Sequence, residues 1–171
     1  MSQNKLLQEV IKYHQFYKTN YSNKFRISLE EKILESNCVG YIRDFYERNG
    51  IVLPVRACEI FENLKESSNF LKINSLDELL PGDLILWRKT LVPSSGDSGH
   101  ICIFKELISK NRISVYDIAK DPHDNDTRSE SGLGFGEIEI LLDDSCHPCG
   151  FKWLGDSKKT KFTEILLVRY K

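Results

Sequence analysis

The sequence has no long apolar run. In 171 residues nothing approaches the roughly 20 consecutive apolar positions of a membrane helix. The opening stretch, MSQNKLLQEVIKYHQFYKTN, has neither the uninterrupted apolar core nor the small-residue cleavage site of a secretory leader. A cytoplasmic protein is expected, with a specialised secretion route as the remaining way out. Charge of one sign is lacking too: 24 Lys plus Arg stand against 25 Asp plus Glu, with no basic block, so no nucleic-acid partner is expected. The cysteines, Cys38, Cys58, Cys102, Cys146 and Cys149, are few and odd in number, which fits reduced thiols better than a disulfide framework. Internal repeats and low-complexity tracts are missing. What remains is an ordinary 40% of hydrophobic residues, enough for one domain spanning residues 1–171 with a sizeable core.

Two metal motifs are incomplete. Cys146-His147-Pro148-Cys149 has Cys-x2-Cys spacing, but no second compact pair supplies the rest of about four zinc ligands. The acidic group Asp117, Asp121, Asp124 and Asp126 lacks the glycine and terminal glutamate of a calcium-binding loop and is expected to be solvated. No metal and no cofactor are expected.

Helices come first along the chain. Leu6, Leu7, Val10, Ile11, His14 and Tyr17 form one apolar stripe over residues 4–18, within an N-terminal helical extension, 1–27. Ser28 and Glu31 have capping-box spacing and predict a short helix to about residue 35. Asn37 is placed to cap a further helix, with Tyr41, Ile42, Phe45 and Tyr46 facing inward and Asn49-Gly50 closing it. ACEIFENLKES continues in helical spacing, with Cys58 as packing. After a Pro81-Gly82 turn the texture becomes β: LILWRK, HICIFKEL, NRISVYDIA, GEIEILLD, GFKWLG and TEILLVRY read as strands, with a polar hairpin turn at 109–111 and a long loop at 119–135. Helices followed by strands predict an α+β fold, with N-terminal helices packed on an antiparallel sheet.

The chemistry centres on Cys38. A thiol in the first turn of a helix meets free backbone N–H groups and the positive end of the helix dipole, which favour thiolate, although a cysteine there can equally be a core filler. Downstream, His100 follows Gly99 at the start of a strand, where a rigid backbone aims the imidazole and the glycine leaves room for close approach. Asp117 near the end of the next strand can reach His100 across a hairpin. A nucleophile, a base and a group orienting the base are then all present.

NCVGYIRDFYERNGIVLP, then LDELLPGDLILWR, then SGHICIF, in this order over residues 35–118, resembles the NlpC family of bacterial cysteine peptidases, relatives of the papain-like fold. The resemblance implies Cys38 as nucleophile, His100 as general base and then acid, and Asp117 orienting it. It also implies amide hydrolysis through a thioester, on a peptide such as a cell-wall stem peptide or muropeptide. Asn37 and Val39 stand where family members commonly have aspartate and serine, and with Gly99 they are the expected substrate contacts beside the cysteine and histidine. The tail from VYDIAKDPHDNDTR onward is similar to a subset with an Asp-Thr-Arg segment. On physical grounds His123, Asp124, Asp126 and Arg128 can line the cleft if the loop folds back over it, but a solvated polar loop is the stronger expectation. The competing readings are a catalytically silent peptide- or partner-binding module and an acyltransferase.

Overall fold

The computed structural model describes residues 3–153 and 160–171. The fold is α+β. Helix α1 (Gln3–Phe16) is followed by strands β1 (Lys18–Tyr21), β2 (Arg26–Ser28) and β3 (Ile33–Ser36), then helices α2 (Cys38–Glu47) and α3 (Ala57–Glu66). The remainder is β4 (Phe70–Ile73), a single 3-10 turn (Leu76–Glu78), β5 (Leu84–Arg88), β6 (Gly99–Ser109), β7 (Arg112–Ala119), β8 (Gly132–Leu142), β9 (Pro148–Lys152), β10 (Thr160–Phe162) and β11 (Ile165–Tyr170). The strand read from GFKWLG is β9, and its last two residues, 154 and 155, lie outside the described residues.

The N-terminal third departs from the expectation. Residues 1–27 contain one helix and two short strands rather than a helical extension, and the helix predicted to end near residue 35 is absent. The bond expected at its start does form, with Glu31 N–H donating to Ser28 Oγ at 3.2 Å. Lys32 then takes a positive φ of 52° and the chain turns back. Leu34 is buried from a strand instead, in a small sheet of order β1-β3-β2 in which β3 runs parallel to β1 and antiparallel to β2. A local capping bond is common to helix starts and tight turns, and only the following residues decide between them.

The main sheet runs β10-β9-β8-β7-β6-β5-β11-β4 with antiparallel neighbours throughout. Side chains alternate across it as the pleat requires. Leu84, Leu86, Ile101 and Ile103 face α2 and α3, where they meet Ile42, Phe45, Phe61 and Leu64. Ile85, Trp87, Phe104, Val115 and Ile140 face the other way into a second core. Among the described residues no α-helix covers that second face; the sheet covers it by curling. Trp87 on β5 and Phe151 on β9 have three strands between them in the sheet order, yet their rings lie 4.3 Å apart. The Pro81-Gly82 turn leads into this sheet and is locked by Asp83, whose buried carboxylate accepts from Leu80 N–H at 2.7 Å and from Arg169 Nε and Nη2 at 3.0 and 2.7 Å. Among the described residues no helix is long and apolar enough to cross a membrane.

Candidate active site

Asn37 caps α2: its Oδ1 accepts from the amides of Val39 at 3.0 Å and Gly40 at 2.9 Å, not from that of Cys38. Two of the donors left orphaned at a helix start are thereby satisfied, and the thiol of Cys38, partly exposed, sits at the positive end of the helix. Asn37 was expected beside a substrate, as was Val39. The first is committed to the cap and the second is buried in the core beneath the helix. Both serve to place Cys38.

His100 comes from the start of β6. Gly99 before it has φ of 153°, and a Cβ there would lie 2.2 Å from the carbonyl oxygen of Trp87. The room glycine provides, expected for a substrate or a helix, is taken by the backbone of β5. His100 pairs in register with Trp87, whose ring lies 5.0 Å from the imidazole and covers it. Asp117, on β7, is buried, and its Oδ2 lies 2.6 Å from His100 Nε2. That leaves Nδ1 as the ring nitrogen open to the thiol of Cys38, whose charge acts on the imidazole.

The electrostatics follow from these contacts. Burial of the His100 ring opposes its positive charge, but the negative charge of Cys38 and the hydrogen bond to Asp117 outweigh it, and the pKa is pushed up to about 10. Burial alone would raise the Asp117 pKa as well. The His123 imidazole and the hydrogen bonds from both histidines hold it well below the usual carboxylate range instead.

The long loop is solvated along much of its length, but part of it is not. It runs between β7 and β8, shorter than the 119–135 read from sequence because β8 begins at Gly132, and it folds back on Asp117. His123 Nε2 lies 2.8 Å from the same Oδ2 that His100 binds, and Arg128 Nη2 donates to Oδ1. Asp126, expected in water, has a side chain only 2% exposed and accepts from Arg128 Nε at 2.8 Å. His123 and Arg128 therefore reach the site from behind the carboxylate. His14 on α1 is partly buried as read from its stripe and bonds Thr127 of the same loop at 2.9 Å; burial lowers its pKa.

Sequence reasoning missed Tyr21. Burial pushes its phenol up, and the negative charges of Cys38 and Asp97 push it further, so the hydroxyl stays protonated at neutral pH. Its signal, one tyrosine in a four-residue strand after a helix, is too short to interpret. Cys58 and Cys102 are buried, and burial drives the Cys102 pKa well above the usual thiol value, as befits packing residues. Cys146 and His147 are exposed on a turn held by Asp143, whose Oδ1 accepts from the amides of Ser145 and His147 at 2.9 Å each. As possible metal ligands, His100, Asp117 and His123 bring donor atoms within 4.8 Å of one another. Both imidazoles, however, bond the carboxylate itself, and Arg128 already supplies a cation to its other oxygen. The arrangement suits a hydrogen-bonded cluster better than a metal centre.

No protein-family model matches the chain, and no curated protein matches it. Among solved structures it is similar to a Staphylococcus aureus protein described as similar to a lipoprotein of the NLP/P60 family. The identity is 21% and the TM-score 0.44, covering 86% of this chain and 41% of that one. The chain thus spans less than half the length of that relative. What it does has to be argued from its own side chains.

Proposed function

We propose that the protein is a thiol-dependent amidohydrolase, a cysteine peptidase of NlpC type acting on a peptide amide. The observation that supports this is the buried Asp117–His100 pair beside the helix-start thiol of Cys38, which lines the same cavity as Asp117 and whose charge helps push the imidazole pKa up to about 10. In this reading the thiol proton resides on His100, and the thiolate attacks the carbonyl carbon of the substrate. The resulting oxyanion is met by the Cys38 amide and the protonated Tyr21 hydroxyl. His100 gives its proton to the departing amine, leaving a thioester on Cys38. Water, losing a proton to His100, then attacks the thioester, and the acid and the free thiol are released. A peptide with the amide of a stem peptide or muropeptide fits the resemblance carried by residues 35–118.

Covalent trapping tests the reading. A peptide bearing an electrophile at the scissile carbonyl is expected to form an adduct on Cys38, located by mass spectrometry, and the adduct is expected to vanish in His100→Ala. An adduct that forms equally well without His100, or none on Cys38 in the wild type, overturns it. Product analysis with added amines separates hydrolysis from acyl transfer.

A further inference from the structure

Asp117 has more partners than a base-orienting group needs. Its side chain is fully buried, and besides His100 it holds His123 and Arg128. Each of these is itself fixed. The His123 ring is stacked on Trp153 with centroids 4.1 Å apart and planes 18° from parallel, and its amide donates to Asp126 Oδ2 at 2.7 Å. Arg128 Nη1 donates to the carbonyls of Gly132 at 2.9 Å and Asp117 at 3.3 Å, while its Nε and its own amide are taken by Asp126.

The sheet is shaped to receive this loop. Gly134 and Gly136 lie two residues apart on β8 and so present one face. A Cβ at Gly134 would lie 2.6 Å from Asp126 Oδ1 and 2.7 Å from Arg128 Nε, and one at Gly136 would lie 2.8 Å from His123 Cβ, whereas one at Gly132 would meet Thr19 of β1. A side chain at Gly134 or Gly136 would push the loop away from Asp117. Thr127 pins it to β8 as well, its amide donating to Phe135 O at 2.9 Å while its Oγ accepts from Phe135 N–H at 3.0 Å.

We propose that His123 and Arg128 are positioning residues that act through Asp117, fixing its carboxylate in the one orientation that holds the His100 ring against Cys38. This rests on the peptidase reading for the roles of Cys38 and His100. A buried carboxylate bound to one imidazole alone could rotate or shift, and the ring would follow. With Arg128 on Oδ1 and two imidazoles on Oδ2, both oxygens are committed, so the ring can turn only by breaking a buried, charge-assisted bond. Among the described residues, other titratable groups linked electrostatically or by hydrogen bonds to the cluster or to Cys38 include Cys102 from β6, Tyr21 from β1, His14 from α1 and Asp126 from the loop, with Asp97 ahead of β6 acting on Tyr21. None of them binds the Asp117 carboxylate.

The pH profile of Cys38 alkylation by iodoacetamide, followed on the Cys38 peptide so that Cys146 and Cys149 do not interfere, needs no substrate. His123→Phe keeps an aromatic face for Trp153 and removes the donor; His123→Gln keeps a donor and removes the ring. The wild-type profile is expected to stay reactive well below the free-thiol value of about 8.5. In His123→Phe its acid limb is expected to move toward that value by about one pH unit, with His123→Gln closer to wild type. Arg128→Lys, which retains the charge and loses the fork, is expected to move it the same way, and it carries the test alone if His123→Phe does not fold.

Profiles of His123→Phe and Arg128→Lys that superimpose on the wild type overturn the proposal. So does a His123→Gln profile displaced as far as that of His123→Phe, which would mean that a donor at this position does not set the effect. A wild-type limb at the free-thiol value overturns the peptidase reading and this proposal together. Shifted limbs in a protein that cleaves no peptide leave the positioning role standing and remove only the hydrolase.

Discussion

At the residue scale the site is a balance of charges, and its pH behaviour follows from two shifts of opposite sign. His100 is raised from 6.5 to about 10, so the stability it contributes is complete below about 6.5 and is lost as the pH climbs through about 10. Asp117 is lowered from 3.8, so its contribution is complete above that value and disappears as the pH falls through its depressed one. The melting temperature is therefore expected to decline between pH 6.5 and 10, and His100→Gln is expected to flatten that decline; an unchanged slope in the variant would refute the assignment. In the proposed hydrolase the same imidazolium is the acid that protonates the leaving amine, so an alkaline limb of kcat/KM near pH 10 is expected in steady-state profiles. Tyr21 gives a second prediction. If its protonated hydroxyl donates to the oxyanion of the proposed reaction, Tyr21→Phe is expected to lower kcat by about 100-fold with KM little changed; a loss confined to KM would place it in substrate binding only.

Cys38, His100 and Asp117 were legible as a set because each stands at an element boundary that punctuation in the sequence marks: Asn37 before the helix, Gly99 before the strand, and the hairpin turn that returns β7. Tyr21, Asp126 and Trp153 were not legible. Their contacts cross more than 15 residues or depend on how an aperiodic loop lies, and no local pattern carries that information.

At the scale of elements, the strands were easier to read than the segments that join them. β5, β6, β7 and β11 are rich in Ile, Leu and Val between turn residues, and that composition survives any tertiary context. β8 was read short because glycine at alternate positions looks like loop, although here it is the seat of the loop that braces Asp117. The helix expected near residue 30 failed for the reverse reason, since its capping signal is shared with the turn that forms. Asp83 shows how much a turn can hold. Its carboxylate is fully buried and bonds Arg169 through two nitrogens, joining the turn before β5 to the strand beside it, β11. Asp83→Ala removes both bonds to the carboxylate, leaves Arg169 only its bond to the Glu78 carbonyl, and is expected to cost about 3 kcal/mol by urea unfolding. A loss under about 1 kcal/mol would mean that the pair is screened as a surface bridge is.

At the scale of the whole molecule, the decisive feature is the curl that lets one sheet build two cores. Three helices cover one face, and the other face covers itself by bringing β9 back over β5. Only a three-dimensional closure does this, which is why the sequence predicted helices on a sheet and not the second core. The closure also reaches the site, because Trp87 touches Phe151 on one side and His100 on the other, while Trp153 stacks on His123. A cavity at Phe151 should thus be felt twice. Phe151→Ala is expected to cost about 3–5 kcal/mol in unfolding, as deletion of a buried ring does, and also to slow Cys38 alkylation at neutral pH. Phe70→Ala is the control: that ring is equally buried, but on edge strand β4 against Tyr46 and Tyr170, far in the sheet order from the cysteine's partners. It is expected to lose comparable stability and leave the alkylation rate unchanged. Equal slowing in both variants would mean that Cys38 responds to global stability alone, and the curl would then have no particular part in presenting it.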